Sequence, residues 1–514
     1  MKKRNDQKVI FKPYHQNQLM VLPPSIEELI ASGHPVRVIN DVLNKIDASE
    51  LLGQYKPGGT SSYHPVMLLK VLVYGYINNI YSSRRLEEAV QQNIHFMWLA
   101  GMSKPDHNTI NRFRSERLKD SLKKIFVQVV KLLAEEGLLS IKEVYTDGTK
   151  IEANANRYSF VWGKAIRTSK ERMKRQLDEL WQYAQSIAAD ELEDPDPDGF
   201  DQISPEKVKQ TIEAIDAALK DKPVSKTVKQ KLNYAKKRWP SVLSKYEEQE
   251  KILGEGRSSF SKSDPDATFM RMKEDHMKNG QLKPGYNLQI STNNQYIANY
   301  TVHCDTNDTN TLIPHLEEFK KQFEQLPEVV CADAGYGSEE NYQYLDQNKV
   351  ESYVKYAQFD REQNETIRNK KPFSTDTLYY NEKEDCFICP MGQRMKKIKT
   401  FTKKSHSGFR QTISSYQAQN CEGCPLRGVC HNAQGNRAIQ INHKLNQLKQ
   451  HNREKLLSEK GVYHRKKRCA DVEPVFANIK HNHGHKRFLL RGKGKVNIEV
   501  GLLALAHNLR KKAA

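Results

Sequence analysis

The chain has 514 residues, with 82 Lys and Arg against 62 Asp and Glu, a formal net charge of +20. Hydrophobic residues make up 37%, and no apolar run reaches the roughly 18–20 residues of a membrane span, which excludes a helical membrane protein. The start Met1-Lys-Lys-Arg-Asn-Asp6 has no apolar stretch behind its charges, so no signal peptide is expected. A chain this long is expected to form about three or four domains of roughly 100–200 residues, and the cation excess points to a polyanion, most simply nucleic acid.

Residues 1–20 are polar and basic and read as an arm. Residues 21–135 read as a helical domain. The largely apolar run Pro65–Ile77 predicts a buried helix, and Ser82 or Ser83 is placed to cap the next one. A third helix is expected from near Asp106 through Arg117. It carries Asn108, Asn111, Arg112 and Arg114, side chains suited to base edges and phosphates. This arrangement is similar to a helix-turn-helix, and DNA binding is expected here.

Ile141–Asp147 predicts a strand ending on an acid, followed by Gly148. Residues 162–256 then read as long charged helices, broken at Pro240, and form a helical insertion. Inside it, Asp194–Gly199 imitates the start of a calcium loop, but Pro205 stands where the bidentate Glu belongs, so a solvated turn is expected. The alternating segments 285–292 and 295–302 predict an antiparallel hairpin with Asn293-Asn294 at its turn. A helix over 311–323 follows, then a short strand Val329–Ala332 that ends at Asp333. Gly335 and Gly337 allow a sharp turn, Ser338 caps a helix, and a further strand lies near 352–356. These elements predict an α/β protein built on a mixed sheet. Its core domain spans 136–161, 257–375 and 440–514.

Five of the eight cysteines fall in one window within 376–439: Cys386, Cys389, Cys421, Cys424 and Cys430. The pattern is C-x2-C, a 31-residue gap, then C-x2-C-x5-C. Two such knuckles can offer four thiolates to one structural Zn2+ in a zinc-ribbon-like insertion, and the fifth cysteine leaves the ligand set open. The positive charge is also local. Residues 391–514 hold 27 Lys and Arg against 6 Asp and Glu. Tracts such as Arg465–Arg468 and the cations between Lys486 and Lys495 read as phosphate contacts. His481, His483 and His485 lie in this basic stretch and are expected to meet phosphate or solvent.

Asp147 and Asp333 close two expected core strands, where polar site residues collect in open sheets. Glu473 stands out as one of six acids in the basic block, and Pro474 places it near a helix start. Lys480 is seven residues on, about two turns, on the same face. Together, Asp147-Gly-Thr, Cys331-Ala-Asp-Ala-Gly-Tyr-Gly337 and Arg468-x4-Glu473-Pro-Val-Phe-x3-Lys480 resemble the DDE transposases of bacterial insertion sequences. Ser263–Lys273 and Lys283–Asn287 are similar to the group with a helical N-terminal domain and a cysteine-rich insertion.

The resemblance implies an RNase H-like core with Asp147, Asp333 and Glu473 as catalytic and metal-holding acids. It implies two Mg2+ ions, replaceable by Mn2+, and nicking of element ends followed by joining to target DNA. Arg468 and Lys480 would then position the DNA. Double-stranded DNA is the expected partner, a homodimer the expected assembly and the nucleoid-containing cytoplasm the expected location. Two competing readings are a non-catalytic DNA-binding regulator descended from a transposase and a nuclease of the same fold without strand transfer. Asp305 is a spare acid near the site, ranked below the triad.

Overall fold

The computed structural model describes residues 25–55, 62–188, 192, 203–254, 256–272, 281–364, 373–405 and 407–514. The basic arm over 1–20 and the acidic loop Asp194–Gly199 lie outside the described residues. Eight strands occupy the middle of the chain: β1 (Glu143–Glu152), β2 (Phe160–Trp162), β3 (Ser259–Ser261), β4 (Thr268–Arg271), β5 (Leu282–Asn293), β6 (Tyr296–His303), β7 (Val329–Ala332) and β8 (Glu351–Val354).

The main sheet has the order β4-β5-β1-β7-β8, with β6 also paired to β5. The β1–β5, β4–β5 and β5–β6 pairs are antiparallel, whereas β1–β7 and β7–β8 are parallel. The expected mixed sheet is therefore present. β1 does not end at Asp147, however. It runs on to Glu152 because β5 stays paired with it as far as Gly285. What stops near Asp147 is the parallel pairing to β7, whose last partners are Thr146 and Ala332. The β5–β6 turn sits one residue later than expected, at Asn294 and Gln295. Both have positive φ, 51° and 63°, as the tight primed hairpin turns require.

Helices Pro35–Asn44, Pro65–Ile77, Ser83–Gln92, Ile94–Leu99, His107–Arg112 and Leu118–Glu135 build the N-terminal region. Pro65–Ile77 is buried on nearly every side, as a helix that is apolar all round must be. Part of its cover comes from the helix Lys493–Lys512, buried almost throughout from Val496 to Leu509, which also packs on Leu118–Glu135 and on β6. Gly501 permits this approach. A Cβ there would stand 2.5 Å from the Tyr300 hydroxyl and 2.7 Å from Leu122 Cδ2.

β2 and β3 pair into a two-stranded base from which the helices Gly163–Ala188, Pro205–Ala218 and Lys226–Leu253 project. They share a core of their own around Leu177, Trp181, Ile212, Ile215, Trp239 and Leu243. The expected break at Pro240 does not occur, and Lys226–Leu253 is one helix. Trp239 and Leu243 flank the proline and are both buried in that core, so packing outweighs the backbone hydrogen bond that a proline removes.

The cysteine-rich segment forms a second antiparallel sheet of β9 (Tyr379–Asn381), β10 (Cys386–Ile388), β11 (Arg394–Lys404), β12 (Arg410–Ala418) and β13 (Ala438–Ile441), in the order β13-β12-β11-β10-β9. Helices His443–Leu457 and Glu459–Ala477 then return the chain to the main sheet. No described helix is long and apolar enough to cross a membrane.

Candidate active site

The parallel register of β1 and β7 sets Asp147 and Asp333 side by side, each one residue beyond the last paired position. Asp333 is also the cap of the one-turn helix Ala334–Tyr336, with its Oδ1 accepting from Ala334 N at 2.7 Å. Side chains alternate across a strand. Tyr145 contacts His464 of the helix Glu459–Ala477 at 3.0 Å, so Asp147, two residues on, faces the same helix. There Arg468 meets it: Nη1 lies 3.3 Å from Asp147 Oδ2, and Nη2 lies 3.8 Å from Glu473 Oε1. The Arg468 side chain is 8% exposed and that of Asp147 16%, whereas Glu473 is 61% exposed. Burial alone would pull the Arg468 pKa down, but the charges of Asp147 and then Asp333 carry it above its usual value. Two carboxylates, from β1 and from the helix Glu459–Ala477, thus reach one cation, and Asp333 acts on it through its charge.

The helix brings Glu473 here by a route the sequence did not suggest. Glu473 is not near a helix start. The helix begins at Glu459, capped by Ser458, and Pro474 lies inside it. The proline lacks the N–H that would bond Ala470 O, and that carbonyl instead accepts from Gln295 Nε2 at 3.0 Å. Lys480 follows Glu473 across a change of helix type. The α-helix gives way to a π-helical turn over Asn478–Asn482, which rotates its side chains away from the α-helical phase. Lys480 is buried while Glu473 is exposed.

Two segments of the chain match known families. Residues 388–513, which include Arg468, Glu473 and Lys480, match the model described as a transposase DDE domain. Residues 24–116 match the model described as a transposase domain (DUF772). Both matches support an insertion-sequence DDE transposase. Asp147 and Asp333 lie outside both matched segments. No curated protein and no solved structure matches the chain. A DDE domain implies divalent metal use and a DNA-cleaving or DNA-transferring enzyme.

The donor chemistry of the site fits that requirement, since carboxylate oxygens suit Mg2+ and Asp147 and Glu473 already flank a positive charge. Among the described residues, however, no three His, Cys, Asp or Glu side chains stand close enough to hold an ion. In the arrangement seen, the Arg468 guanidinium lies between Asp147 and Glu473.

The first basic tract is largely engaged within the protein, whereas Lys486, Arg487, Arg491, Lys493 and Lys495 are all exposed. Arg465 donates to Leu456 O at 3.1 Å and lies over the Phe359 ring, and Lys467 pairs with Glu143 at 2.9 Å. Of the run Arg465–Arg468, only Lys466 is exposed. Arg487 and Arg491 bond the backbone of residues 153–155. His483 and His485 are also buried rather than open to phosphate or solvent. His483 contacts Asn79 at 2.7 Å, and His485 lies 3.5 Å from Glu499.

In the N-terminal region, Asp106 caps His107–Arg112 by accepting from Thr109 N at 2.8 Å. Asn108, Asn111 and Arg112 are exposed there. Arg114 is not: a π-helical turn over Phe113–Arg117 turns it inward, where it is 4% exposed and donates to Tyr81 O at 2.6 Å.

Cys389, Cys421, Cys424 and Cys430 line one small cavity of about 20 Å3 with His431 and Arg437. Cys389 Sγ accepts from Gln393 N at 3.3 Å, Cys421 Sγ from Arg437 N at 3.4 Å and Cys430 Sγ from Arg437 Nη1 at 2.8 Å. Cys386 is apart from them, directed toward Glu384 Oε2 at 3.7 Å.

Sequence reasoning missed Asp308. It receives hydrogen bonds from two amides of β5 beside Gly148 and Gly335, whereas Asp305 makes no comparable contact among those found at the site. The pairing of β5 with β1 that creates this arrangement has no local sequence signal.

Proposed function

We propose that this transposase nicks DNA at the ends of its own element and joins those ends to a target, with Asp147, Asp333 and Glu473 holding Mg2+ or Mn2+. The observation that supports this reading is that Arg468 reaches both Asp147 and Glu473, while the β1–β7 register sets Asp333 beside Asp147. Bound divalent ions would supply Lewis acidity and an activated oxygen nucleophile at the scissile phosphate. The protein's own part is positional. β1 and β7 fix two carboxylates in register, and the helix Glu459–Ala477 carries the third at the solvent edge. Arg468 balances their charge while DNA is absent and stands next to where a phosphate would enter, with Lys480 farther along the same segment.

DNA contacts are assigned to two surfaces. Asn108, Asn111 and Arg112 form the exposed side of the N-terminal helix, and Arg114 acts there by bracing the fold. The β11–β12 ribbon holds seven Lys and Arg and no acid between Arg394 and Ala418. Lys396, Lys399, Lys403, Lys404 and Arg410 are exposed on it. A two-stranded ribbon is of a size that fits the major groove. We assign Zn2+ to Cys389, Cys421, Cys424 and Cys430, which line one cavity and of which Cys389, Cys421 and Cys430 accept N–H bonds, and we leave Cys386 out. Two element ends must be held together, so the working assembly is a homodimer on DNA.

The test is a labelled duplex taken from the DNA bordering the reading frame, incubated with protein and Mg2+ or Mn2+. Nicking at the element end and joining of a precleaved end to a second duplex are expected. Asp147→Asn and Glu473→Gln are expected to abolish both and keep binding. Cleavage by either variant removes the site assignment. Nicking without joining makes the protein a nuclease, and binding without nicking by the wild type makes it a regulator.

A further inference from the structure

Beneath the acids, on the opposite face of the sheet from Arg468, lies a buried polar layer. β1 and β5 pair Gly148 with Gln289 and Thr146 with Ser291. Thr146 Oγ1 contacts Ser291 Oγ at 2.7 Å and Ser291 contacts His315 at 2.8 Å, which marks this as the face turned to the helix Leu312–Phe323. Gln289 and Asn287 are fully buried here, where amides without partners are costly. Their common partner is Asp308. Its Oδ1 accepts from Asn287 Nδ2 at 2.8 Å and from Gln289 Nε2 at 3.1 Å. Gln289 Oε1 in turn accepts from the buried Tyr336 hydroxyl, and Tyr336 ends the one-turn helix that Asp333 caps.

A second strand of bonds runs beside the first. Thr309 Oγ1 donates to Gly335 O at 2.8 Å, and Asn341 Nδ2 donates both to Thr309 O at 2.9 Å and to Tyr336 O at 2.7 Å. The glycines make room. A Cβ on Gly148 would stand 2.2 Å from Gln289 Nε2 and 2.9 Å from Asp308 Oδ1, and one on Gly335 would stand 3.4 Å from Asp308 Oδ2. Tyr336 also senses where it is. Burial first, then the charges of Asp147, Asp308 and Asp333, push its pKa well up, so its hydroxyl stays a donor to Gln289.

We infer that Asp308 is a positioning residue for Asp333. Through Gln289 and Tyr336 it fixes the turn just beyond Asp333 and so sets that carboxylate against Asp147. The inference rests on the proposed catalytic role of the two aspartates. Asp308 acts as an acceptor for two buried amides, a role that the side-chain oxygen of Asn can also fill. Loss of such outer partners of metal-holding groups typically costs about 10- to 100-fold in metal affinity or activity.

The experiment uses the full chain and three variants: Asp308→Ala, Asp308→Asn and Tyr336→Phe, the last removing one hydroxyl without emptying the core. Hydrogen exchange of residues 334–337 in the DNA-free protein is one readout, and the Mn2+ concentration for half-maximal nicking is the other. Asp308→Ala and Tyr336→Phe are expected to speed exchange at 334–337, and Asp308→Ala to raise the half-saturating Mn2+ by about tenfold or more. Asp308→Asn is expected to stay near wild type in both. Unchanged exchange in Asp308→Ala and Tyr336→Phe overturns the inference. So does an Asn variant as impaired as the Ala variant, or faster exchange with unchanged Mn2+ dependence. Exchange needs no catalysis, so a wild type that fails to nick DNA counts against the transposase chemistry and leaves the exchange comparison to decide the role of Asp308.

Discussion

Arg468 Nη1 lies 3.3 Å from Asp147 Oδ2, both side chains largely buried, and the other arm of the same guanidinium reaches Glu473 at 3.8 Å. On the proposed reading, a cation held by protein thus sits where the carboxylates would hold a cation supplied from solution. Removing one partner of a buried ion pair typically costs about 3–5 kcal/mol because the other charge is left unpaired. Arg468→Ala is therefore expected to lower the melting temperature in EDTA. Mn2+ is then expected to raise it more in the variant than in the wild type, since ions would replace the missing charge. Equal Mn2+ shifts in the two proteins would show that the pair and the ion site are unrelated.

Glu499 gives a pH dependence with a definite sign. It is fully buried and accepts from Leu489 N at 3.0 Å and from Leu490 N at 3.0 Å, yet burial pushes its carboxyl up to about 7. An unfolded Glu titrates near about 4.3. As pH rises between these values, the unfolded chain releases a proton that the fold retains, so this group's penalty grows and is complete above about pH 7, at roughly 4 kcal/mol. The neighbouring His485, lowered to about 4 by burial, tilts stability the opposite way over part of that range, so the comparison must be between variant and wild type. Glu499→Gln keeps an acceptor for the two N–H groups. Its melting temperature relative to wild type is expected to climb from pH 4.5 to pH 8. A difference independent of pH would refute the assignment.

The β11–β12 ribbon should show itself in salt dependence. Lys396, Lys399, Lys403 and Lys404 replaced together by Gln are expected to weaken DNA binding for all sequences alike. The slope of log affinity against log salt should flatten by up to about 0.9 for each phosphate that the ribbon no longer neutralises. A change confined to element-end DNA, or no change in slope, would mean that the ribbon does not track the backbone.

The thiols divide four to one. Cys424→Ala is expected to lose one equivalent of bound zinc from the purified protein and to expose the β9–β13 sheet to proteolysis, whereas Cys386→Ala should retain the metal. Zinc content indifferent to Cys424, or lost with Cys386, would contradict the ligand set; elemental analysis reads both.

What could be read from the sequence followed chain locality. The runs leading to Asp147 and Asp333 read as short buried strands, and their acids emerge where pairing between β1 and β7 stops. Glu473 was found by its chemistry among cations, but its helix was misjudged. Pro474 signals a helix start only if no distant donor serves the carbonyl it orphans, and Gln295, on another element, does so. Arg114 was misplaced because a π-helical turn rotates its side chain away from the position a regular helix would give. The Arg465–Arg468 tract looked like a DNA contact because charge is visible in sequence, while Glu143, Phe359 and the backbone carbonyls that absorb it are not. Asp308 lay beyond reach because it depends on the register between two strands about 140 residues apart.

The helix Lys493–Lys512 is the inner wall for Pro65–Ile77 and Leu118–Glu135, elements that leave the ribosome hundreds of residues earlier. During synthesis those helices have apolar faces with nothing to close over them, and β6 lacks the Asn508 side chain that bonds both the N–H and the carbonyl of Ile297. A product ending before residue 493 would carry Asp147 and Asp333 but leave the N-terminal helices without the wall that closes their core.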